Sequence, residues 1–432
     1  MLRPRHVAAG LLLALTFVLA PNLRAHGQFP LPLGTLPRVD GSDPLAVATF
    51  GILIPAGDEP GYTWVCEEIA GGGASSPVEW ARTSEGTLMA TSIEGVFRFS
   101  PSLCGIQRPV GEVAFAQARS LATHPTRPLV AVGLTSGAVH LSDDDGRTFV
   151  PTLARDGYSP VSILLDDDAG MPRVVVLWRK LLDGSVELEL FRNNVPTLVP
   201  ITEPGSTVWR LIAHDVAHPG EVYVRENGEA QDRLLRVRLS DGTATKVLRE
   251  AGDELTLAVS DDGQRVALGG LNTPLSVSHD AGETFETRNT LKQVRGLRFA
   301  PGTRLYAAAN NWGDGFAFGV SDDDGQTWRG MGVFADIRGV HECPGEGPGC
   351  ALGADGCVSG GGNDVLATCA PYWPALKELF GIGRDAGTPP ATTDAGPGDE
   401  MEKPGGCPAL PLPSLAVMGV MGVMLRRVRR GA

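Results

Sequence analysis

Short runs of alternating apolar and polar residues recur along most of this chain, separated by turns that contain Pro or Asp-Gly. The alternation of Val130, Val132 and Leu134 is typical of a β-strand with one face packed against a core. The same order of apolar run, turn and second apolar run occurs in LAVSDDGQRVALGG and in LRFAPGTRLYAAAN. Because no long amphipathic helical run interrupts this pattern, we predict an all-β chain of many turns.

One eight-residue phrase occurs three times, and its spacing predicts the architecture. It reads SDDDGRTF, SHDAGETF and SDDDGQTW, and all three copies fit the pattern Ser-x-Asp-x-Gly-x-Thr-aromatic. The copies start at residues 142, 278 and 321, which is 136 and then 43 residues apart. A turn that repeats with a period in the low to mid forties is typical of the four-stranded blades of a β-propeller.

The phrase is interpreted as a structural hairpin turn. Gly146, Gly282 and Gly325 stand where the chain must reverse, and glycine adopts positive φ at no steric cost. The polar side chains can bond to nearby backbone groups and close the turn. A calcium loop needs alternating oxygen ligands, but Leu141 and Val320 occupy two of those places. The residues assigned to the three turns are Ser142, Asp144, Gly146, Thr148, Phe149, Ser278, Asp280, Gly282, Thr284, Phe285, Ser321, Asp323, Gly325, Thr327 and Trp328.

The repeated phrase resembles the Asp-box, or BNR repeat, which is found in sialidases and in many non-enzymatic propellers. The resemblance implies that each box lies on the turn between the third and fourth strands of a blade. It also implies that the boxes lie at the rim, remote from any active site.

The strand pattern predicts a single seven-bladed β-propeller of four-stranded antiparallel blades over residues 47–372, with six or eight blades as alternatives. The first strands of the blades are expected near Val78, Ser120, Val161, Val208, Leu255, Val294 and Ile337. The N-terminal strand Val47–Ile54 is expected to complete the last blade, since closure removes free sheet edges. Residues 26–46 are assigned to an N-terminal segment outside the propeller.

Both ends of the chain carry candidate targeting segments. Arg3 and Arg5 precede the apolar stretch Val7–Ala20, which predicts a secretory signal peptide over residues 1–25. A membrane helix is the alternative, although the apolar run is short for a bilayer. Residues 373–406 are predicted to be a flexible linker rich in Gly, Pro and Asp.

After this linker come Cys407, an apolar run and four arginines, in residues 407–432. The order of these parts resembles the myxobacterial C-terminal sorting signal. The resemblance implies that a membrane peptidase processes the segment containing Cys407 and that the protein is displayed at the cell surface or outer membrane. A simple tail anchor held by the positive charges is the alternative.

Cysteine usage fits export to an oxidising compartment. Of the seven cysteines, Cys407 stands apart, and the other six are candidates for three disulfides of undetermined connectivity. Zinc binding is the alternative for the C-terminal four, but their spacing lacks the close pair of a zinc knuckle. The six disulfide candidates are Cys66, Cys104, Cys343, Cys350, Cys357 and Cys369.

Two small clusters are candidate binding residues. His214 and Asp215 lie beside His218, whose place in the repeat matches a turn between the first two strands of a blade. A structural role is therefore favoured for this cluster. Trp312 and Asp314 lie in the phrase NNWGDGF, where an aromatic beside amides and an acid suits contact with a sugar or peptide. A polar loop is the alternative.

No catalytic constellation is found, so we expect a non-catalytic protein that binds an extracellular glycan, peptide or protein through one propeller face. The arginine motif and tyrosine context of sialidases are missing, as are Gly-x-Ser-x-Gly and His-Glu-x-x-His. No cofactor or metal is expected, and the net charge of −13 argues against nucleic acid. The alternative is a degenerate or unrecognised glycoside hydrolase similar to sialidases, which would gather carboxylates and arginines in a central pocket.

Overall fold

The computed structural model describes residues 30–38, 42–56, 61–73, 77–168, 170–193, 195–201, 209–228, 231–300, 304–342 and 365–382. These residues form seven β-sheets arranged as a seven-bladed propeller, which confirms the predicted fold class. In each blade, four strands that are consecutive in sequence pair antiparallel. We label the strands of a blade A to D from the ring axis outwards, because the first strands of neighbouring blades pack against each other.

The strands are numbered in chain order, and the blades are numbered from the N-terminal end. Blade 1 contains β1 (Pro32–Leu36), β2 (Leu45–Ala48), β3 (Gly51–Pro55) and β4 (Tyr62–Cys66). Blade 2 contains β5 (Glu79–Arg82), β6 (Leu88–Ser92), β7 (Gly95–Phe99) and β8 (Ile106–Gln107). Blade 3 contains β9 (Ala118–Thr123), β10 (Val130–Leu134), β11 (Ala138–Ser142) and β12 (Val150–Ala154). Blade 4 contains β13 (Tyr158–Asp168), β14 (Met171–Lys180), β15 (Val186–Arg192) and β16 (Val195–Val199).

The remaining blades follow the same order. Blade 5 contains β17 (Trp209–His214), β18 (Glu221–Asn227), β19 (Asp232–Arg238) and β20 (Ala244–Gly252). Blade 6 contains β21 (Thr256–Val259), β22 (Val266–Gly269), β23 (Leu275–Ser278) and β24 (Glu286–Arg288). Blade 7 contains β25 (Val294–Phe299), β26 (Leu305–Ala309), β27 (Phe318–Ser321) and β28 (Arg329–Gly332). After blade 7 come β29 (Ile337–Val340) and two helices, α1 (Val365–Cys369) and α2 (Trp373–Phe380).

The hydrophobic core lies between neighbouring blades, so that the B strands are covered on both faces. All five residues of β10 are buried. Val130 and Val132 belong to the apolar cluster shared with blade 2, whereas Ala131 belongs to the cluster shared with blade 4. The expectation that only one face of this strand is packed was therefore wrong, because each sheet is sandwiched between two others.

Blade 1 closes the ring with strands from both ends of the propeller. The strand β29 adds in parallel to the outer edge of β4, with Ile337 opposite Tyr62 and Val340 opposite Trp64. The two ends therefore share one sheet, as predicted. The N-terminal end supplies four strands of this sheet and the C-terminal end one, whereas the prediction had one N-terminal strand completing a C-terminal blade. Ile337 does not begin a blade, and residues 47–54 supply parts of two strands rather than one.

The error has a local cause in a turn that contains no Pro, Asn or Asp. The chain reverses at Thr49 and Phe50, between β2 and β3. Gly51 follows with φ +130°, and a Cβ there would lie 2.1 Å from the backbone oxygen of Val65. The Trp64 indole donates a hydrogen bond to the Phe50 carbonyl at 2.9 Å. Because Thr49 and Phe50 are residue types that are common in strands, and Phe50 is buried, the turn looks like the middle of a strand.

The propeller also extends beyond the boundaries predicted from sequence. The strand β1 lies in the segment 26–46 that was assigned outside it, and α2 lies in the predicted linker 373–406. The α2 residue Trp373 packs on Trp64, with ring centroids 6.2 Å apart, and Phe380 packs on Phe50 at 5.4 Å. Apolar residues at helical spacing thus cover the core of blade 1, and they end at Gly381 in a left-handed C-cap.

A disulfide between Cys66, at the end of β4, and Cys369, at the end of α1, joins positions 303 residues apart. Cys104 is also in a disulfide. The other predicted participants, Cys343, Cys350 and Cys357, lie outside the described residues, as do the signal peptide 1–25, most of the linker, and the segment 407–432 with Cys407. Within the described ranges, neither helix is long and apolar enough to cross a membrane.

We predict that removing the Cys66–Cys369 disulfide destabilises the propeller by on the order of 2–4 kcal/mol, because the crosslink restricts a very long loop in the unfolded chain. The measurement is the midpoint of denaturant unfolding for the double variant Cys66→Ser/Cys369→Ser and for the wild type, each with and without reductant. Reductant on the double variant gives the contribution of the remaining disulfides. Equal midpoints for the two oxidised proteins would contradict the prediction.

Candidate functional site

The antiparallel order of the strands divides the turns of every blade between two faces. The A–B and C–D turns lie at one end of the strands, and the B–C turns lie at the other end. All three boxes are C–D turns, between β11 and β12, β23 and β24, and β27 and β28. We call this end the box face and the opposite end the B–C face.

Each box closes on itself through the same four side-chain hydrogen bonds. In blade 3 the Ser142 hydroxyl donates to Asp144 at 2.7 Å and accepts from the Gly146 backbone N–H at 2.9 Å. The Asp144 carboxylate also accepts from the Thr148 hydroxyl at 2.6 Å and from the Thr148 N–H at 2.9 Å. The boxes of blades 6 and 7 repeat all four bonds.

Two successive residues of each box have positive φ. In blade 7, Asp324 has φ +55° and Gly325 has φ +80°, and the other two boxes have the same pair of left-handed residues. A Cβ on Gly325 would lie 2.5 Å from Leu275 Cδ2. Glycine is therefore needed for both its backbone angle and its small size.

An arginine of the preceding blade contacts every box. Arg98 on β7 bonds to both the carboxylate of Asp145 (2.9 Å) and its carbonyl oxygen (3.1 Å). Arg236 on β19 donates to the Ala281 carbonyl at 2.5 Å, and Arg265 donates to the Asp324 carboxylate at 3.2 Å. The left-handed residue of the box turns its polar groups towards the neighbouring sheet. The boxes thus join blades 2 to 3, 5 to 6 and 6 to 7.

The candidate pair His214 and Asp215 lies on the box face, and its two side chains bond to different blades. His214 Nδ1 lies 2.9 Å from the carboxylate of Asp166 in blade 4. Asp215 is fully buried and accepts hydrogen bonds from the backbone N–H groups of Ala217 and His218, both at 3.1 Å. Its second oxygen lies 2.8 Å from Nε of Arg236, the arginine that contacts the blade 6 box. These contacts support the structural interpretation of the cluster.

The other candidate pair lies on the B–C face, in the turn between β26 and β27. The Asp314 carboxylate accepts from the backbone N–H groups of Asn310 at 3.0 Å and Lys292 at 2.7 Å. Asp314 therefore ties its loop to the connection between blades 6 and 7. Trp312 is 58% exposed and contacts Phe334 edge-on, with centroids 6.4 Å apart. Of this pair, only Trp312 presents its side chain to solvent.

A cavity of about 520 Å³ opens on the B–C face at the inner edges of blades 2 to 5. The starts of four A strands and the adjoining ends of the B strands form its wall. Sequence reasoning did not select any of these residues. The lining residues that carry charge are Glu79, Arg119, Arg179, Arg210 and Arg225.

The charged groups of the cavity interact with one another. Arg210 lies 3.7 Å from the carboxylate of Glu79, which also accepts a hydrogen bond from the Leu121 N–H at 3.1 Å. Burial raises the pKa of Glu79, and the nearby Arg210 and Arg119 oppose this shift only in part. Burial lowers the pKa of Arg225, and the charge of Arg210 lowers it further. The cavity is therefore strongly cationic in a protein of net charge −13.

The described ranges contain no group of three or more His, Cys, Asp or Glu side chains placed to hold an ion. The acidic run at Asp166 and Asp167 is instead bonded to basic side chains. Asp166 pairs with Arg173, and Asp167 lies 2.9 Å from Nε of Arg127.

No protein-family model and no curated protein matches the chain. Solved structures with a similar fold include the Dos1 propeller, at 13% identity over 67% of this chain and 80% of that chain, with a TM-score of 0.45. The WD40 repeats of RRP9 are 13% identical over 66% of this chain and 88% of that chain, with a TM-score of 0.49. Hydrazine synthase of Kuenenia stuttgartiensis is 11% identical over 67% and 95%, with a TM-score of 0.47. These likenesses concern the fold alone.

The box bonds predict a stability difference that depends on pH. Partial burial raises the pKa of Asp144, but hydrogen bonds from Thr148, Ser142 and Arg147 outweigh it and lower the pKa to about 2. The unfolded value is about 3.9. A carboxyl group with a lowered pKa stabilises the fold above the unfolded value and loses this contribution as the pH falls through the folded value.

We therefore expect Asp144→Asn to melt at a lower temperature than the wild type near neutral pH, because the amide is a weaker acceptor than the carboxylate. The gap should close as the pH falls from about 4 to about 2. The control is Asp143→Asn, which changes an exposed carboxylate of the same box that takes no part in the four box hydrogen bonds. A gap that is independent of pH, or an equal effect of both substitutions, would contradict the assignment.

Proposed function

We propose that this protein is an exported, non-catalytic propeller that binds an extracellular glycan, peptide or protein through its B–C face. The observation that carries the proposal is the cavity of about 520 Å³ on that face. Cavities of this size fit small ligands or the tip of a larger one. The exposed Trp312 lies on the same face and adds an amphipathic contact surface.

The polar side chains of the two faces differ in how many bonds they form within the protein, and this difference favours the B–C face as the binding face. On the box face, the serines, aspartates and histidines singled out from sequence are engaged in bonds within and between blades. On the B–C face, Arg119 and Arg179 line the cavity and form no direct hydrogen bond or close ion pair with any described residue, although the charge of Arg119 acts on Glu79 from a distance. Functional groups that the fold does not use are the ones available to a partner.

A glycoside hydrolase is the less favoured candidate. Most glycosidases need two carboxylates flanking the scissile bond, and sialidases use a tyrosine nucleophile. Among the described residues that line the cavity, Glu79 is the single carboxylate, and there is no tyrosine. The backbone of Leu121 and the side chain of Arg210 both contact Glu79. The arginines expected for a hydrolase are present, but the paired acid and base are not among these residues.

Export and surface display complete the proposal. Its support is in the sequence, namely the charged and apolar stretch of residues 1–25 and the order of Cys407, apolar run and arginines in 407–432. The disulfide between Cys66 and Cys369 is consistent with an oxidising compartment.

Binding without turnover is tested by incubating the purified full chain with glycan and peptide arrays, in parallel with a hydrolysis screen of the same compounds. We expect at least one class of compound to be bound and none to be cleaved. Charge reversal by Arg179→Glu on the B–C face should weaken this binding at least tenfold. The matched control, Arg329→Glu, reverses an exposed charge on the outer strand β28 and should leave binding unchanged. The proposal would be contradicted by turnover of any compound, or by a larger loss of binding in Arg329→Glu than in Arg179→Glu.

Surface display is tested by antibody labelling of intact bacteria that carry the sorting peptidase. Wild-type protein should be labelled, and Cys407→Ser should lose the label because the processed residue is gone. Ser414→Ala, in the same segment, serves as the control and should be labelled like the wild type. Full labelling of the Cys407→Ser cells would argue for a simple tail anchor.

A further inference from the structure

The arginines of the cavity come from three consecutive blades. Arg119 is on β9, Arg179 on β14, and Arg210 and Arg225 are on β17 and β18. They are separated by as many as 106 residues in the sequence, from 119 to 225, and the curvature of the ring brings them to one cavity. Glu79 of blade 2 lies near Arg210, and Asp232 lies near Arg225, so two of the four positive charges have a carboxylate neighbour.

The four guanidinium groups differ in how far the protein already satisfies them. Arg225 donates to the Leu255 carbonyl at 3.2 Å and lies 3.8 Å from Asp232. Arg210 pairs loosely with Glu79. Arg119 and Arg179 are exposed to the solvent of the cavity, and neither has a hydrogen-bond or ion-pair partner among the described residues. Four guanidinium groups line one cavity whose nearest carboxylates are Glu79 and Asp232, so positive charge is in excess, which an anionic ligand would stabilise.

The distribution of these donors around the cavity indicates the shape of the anion. A planar carboxylate has two oxygens and is saturated by one or two guanidinium groups in a bidentate pair. Donors that approach from three blades suit an anion whose oxygens point in several directions. A sulfate or phosphate ester meets this condition, and a dianionic phosphate ester also balances more of the excess charge.

We propose that the cavity binds its ligand through a tetrahedral oxyanion, a sulfate or phosphate ester, held by Arg119, Arg179 and Arg210. This inference rests on the proposed function and specifies the chemistry of the ligand at the same site. The apolar wall formed by Ile93 and Val161 is positioned to contact the remainder of the ligand. A cavity of about 520 Å³ has room for a sugar-sized remainder.

The test is calorimetric titration of the full chain with four probes of equal scaffold size: glucose 6-sulfate, glucose 6-phosphate, glucuronate and glucose. We expect one or both esters to bind, with at least tenfold weaker binding of glucuronate and none of glucose. Binding should weaken as salt is added, because the interaction is between charges. Which ester binds more tightly identifies the source of the oxyanion.

Three substitutions assign the binding to the cavity. Arg119→Gln should weaken ester binding at least tenfold, whereas Arg329→Gln, the same change on β28, should not alter it. Glu79→Gln removes the opposing carboxylate and keeps the acceptor for the Leu121 N–H. This variant should bind the ester severalfold more tightly, and a gain in affinity cannot result from misfolding.

Failure of this inference is distinguishable from failure of the proposed function. The inference is overturned if neither ester binds, if glucuronate binds as tightly as the esters, or if Arg119→Gln binds like the wild type. In each case the proposed function still stands, provided that the arrays show binding that Arg179→Glu abolishes. Turnover on the arrays overturns the proposed function instead, whatever the ester titrations show.

Discussion

Closure of the ring is the constraint on which the rest of the structure depends. Seven sheets enclose a common axis only if the first and last blades meet, and blade 1 achieves this by taking β1 to β4 from one end and β29 from the other. The disulfide between Cys66 and Cys369 and the packing of α2 on Phe50 and Trp64 hold this junction. The cavity at blades 2 to 5 exists because the closed ring fixes the angle between neighbouring sheets.

Within the ring, polar contacts between blades complement the apolar layers. An apolar layer between two sheets is not directional, whereas a hydrogen bond from Arg98 to Asp145, or from Arg236 to Ala281, fixes the register of one blade on the next. Arg236 and two backbone N–H groups bond to the buried Asp215 carboxylate and offset the cost of its burial. The box is therefore both a turn and a connector.

Much of this fold could be predicted from sequence because its signals are local and repeated. Three copies of one phrase gave the blade period, and six of the seven predicted blade starts lie within three residues of an A strand. Blade 1 could not be predicted in the same way, since its turn at Thr49 and Phe50 contains no Pro, Asn or Asp and its last strand is distant in sequence. The cavity was missed because Arg119, Arg179 and Arg210 are single residues, each unremarkable in its own strand. The net charge of −13 for the whole chain also gives no indication of a cationic cavity.

The separation of the two faces has a consequence for how such a chain can change over time. The boxes and their arginine partners lie at one end of the strands, and the cavity lies at the other. Substitutions at the rim of the cavity leave the hydrogen bonds of the boxes on the other face untouched, whereas Asp314 in the B–C turn of blade 7 has to be kept because it bonds to the connection between blades 6 and 7. The ligand specificity of the cavity can therefore change, in evolution or by design, through substitutions at a few positions, while the propeller still folds. A paralogue with a different ligand would need to alter only one side of the disc.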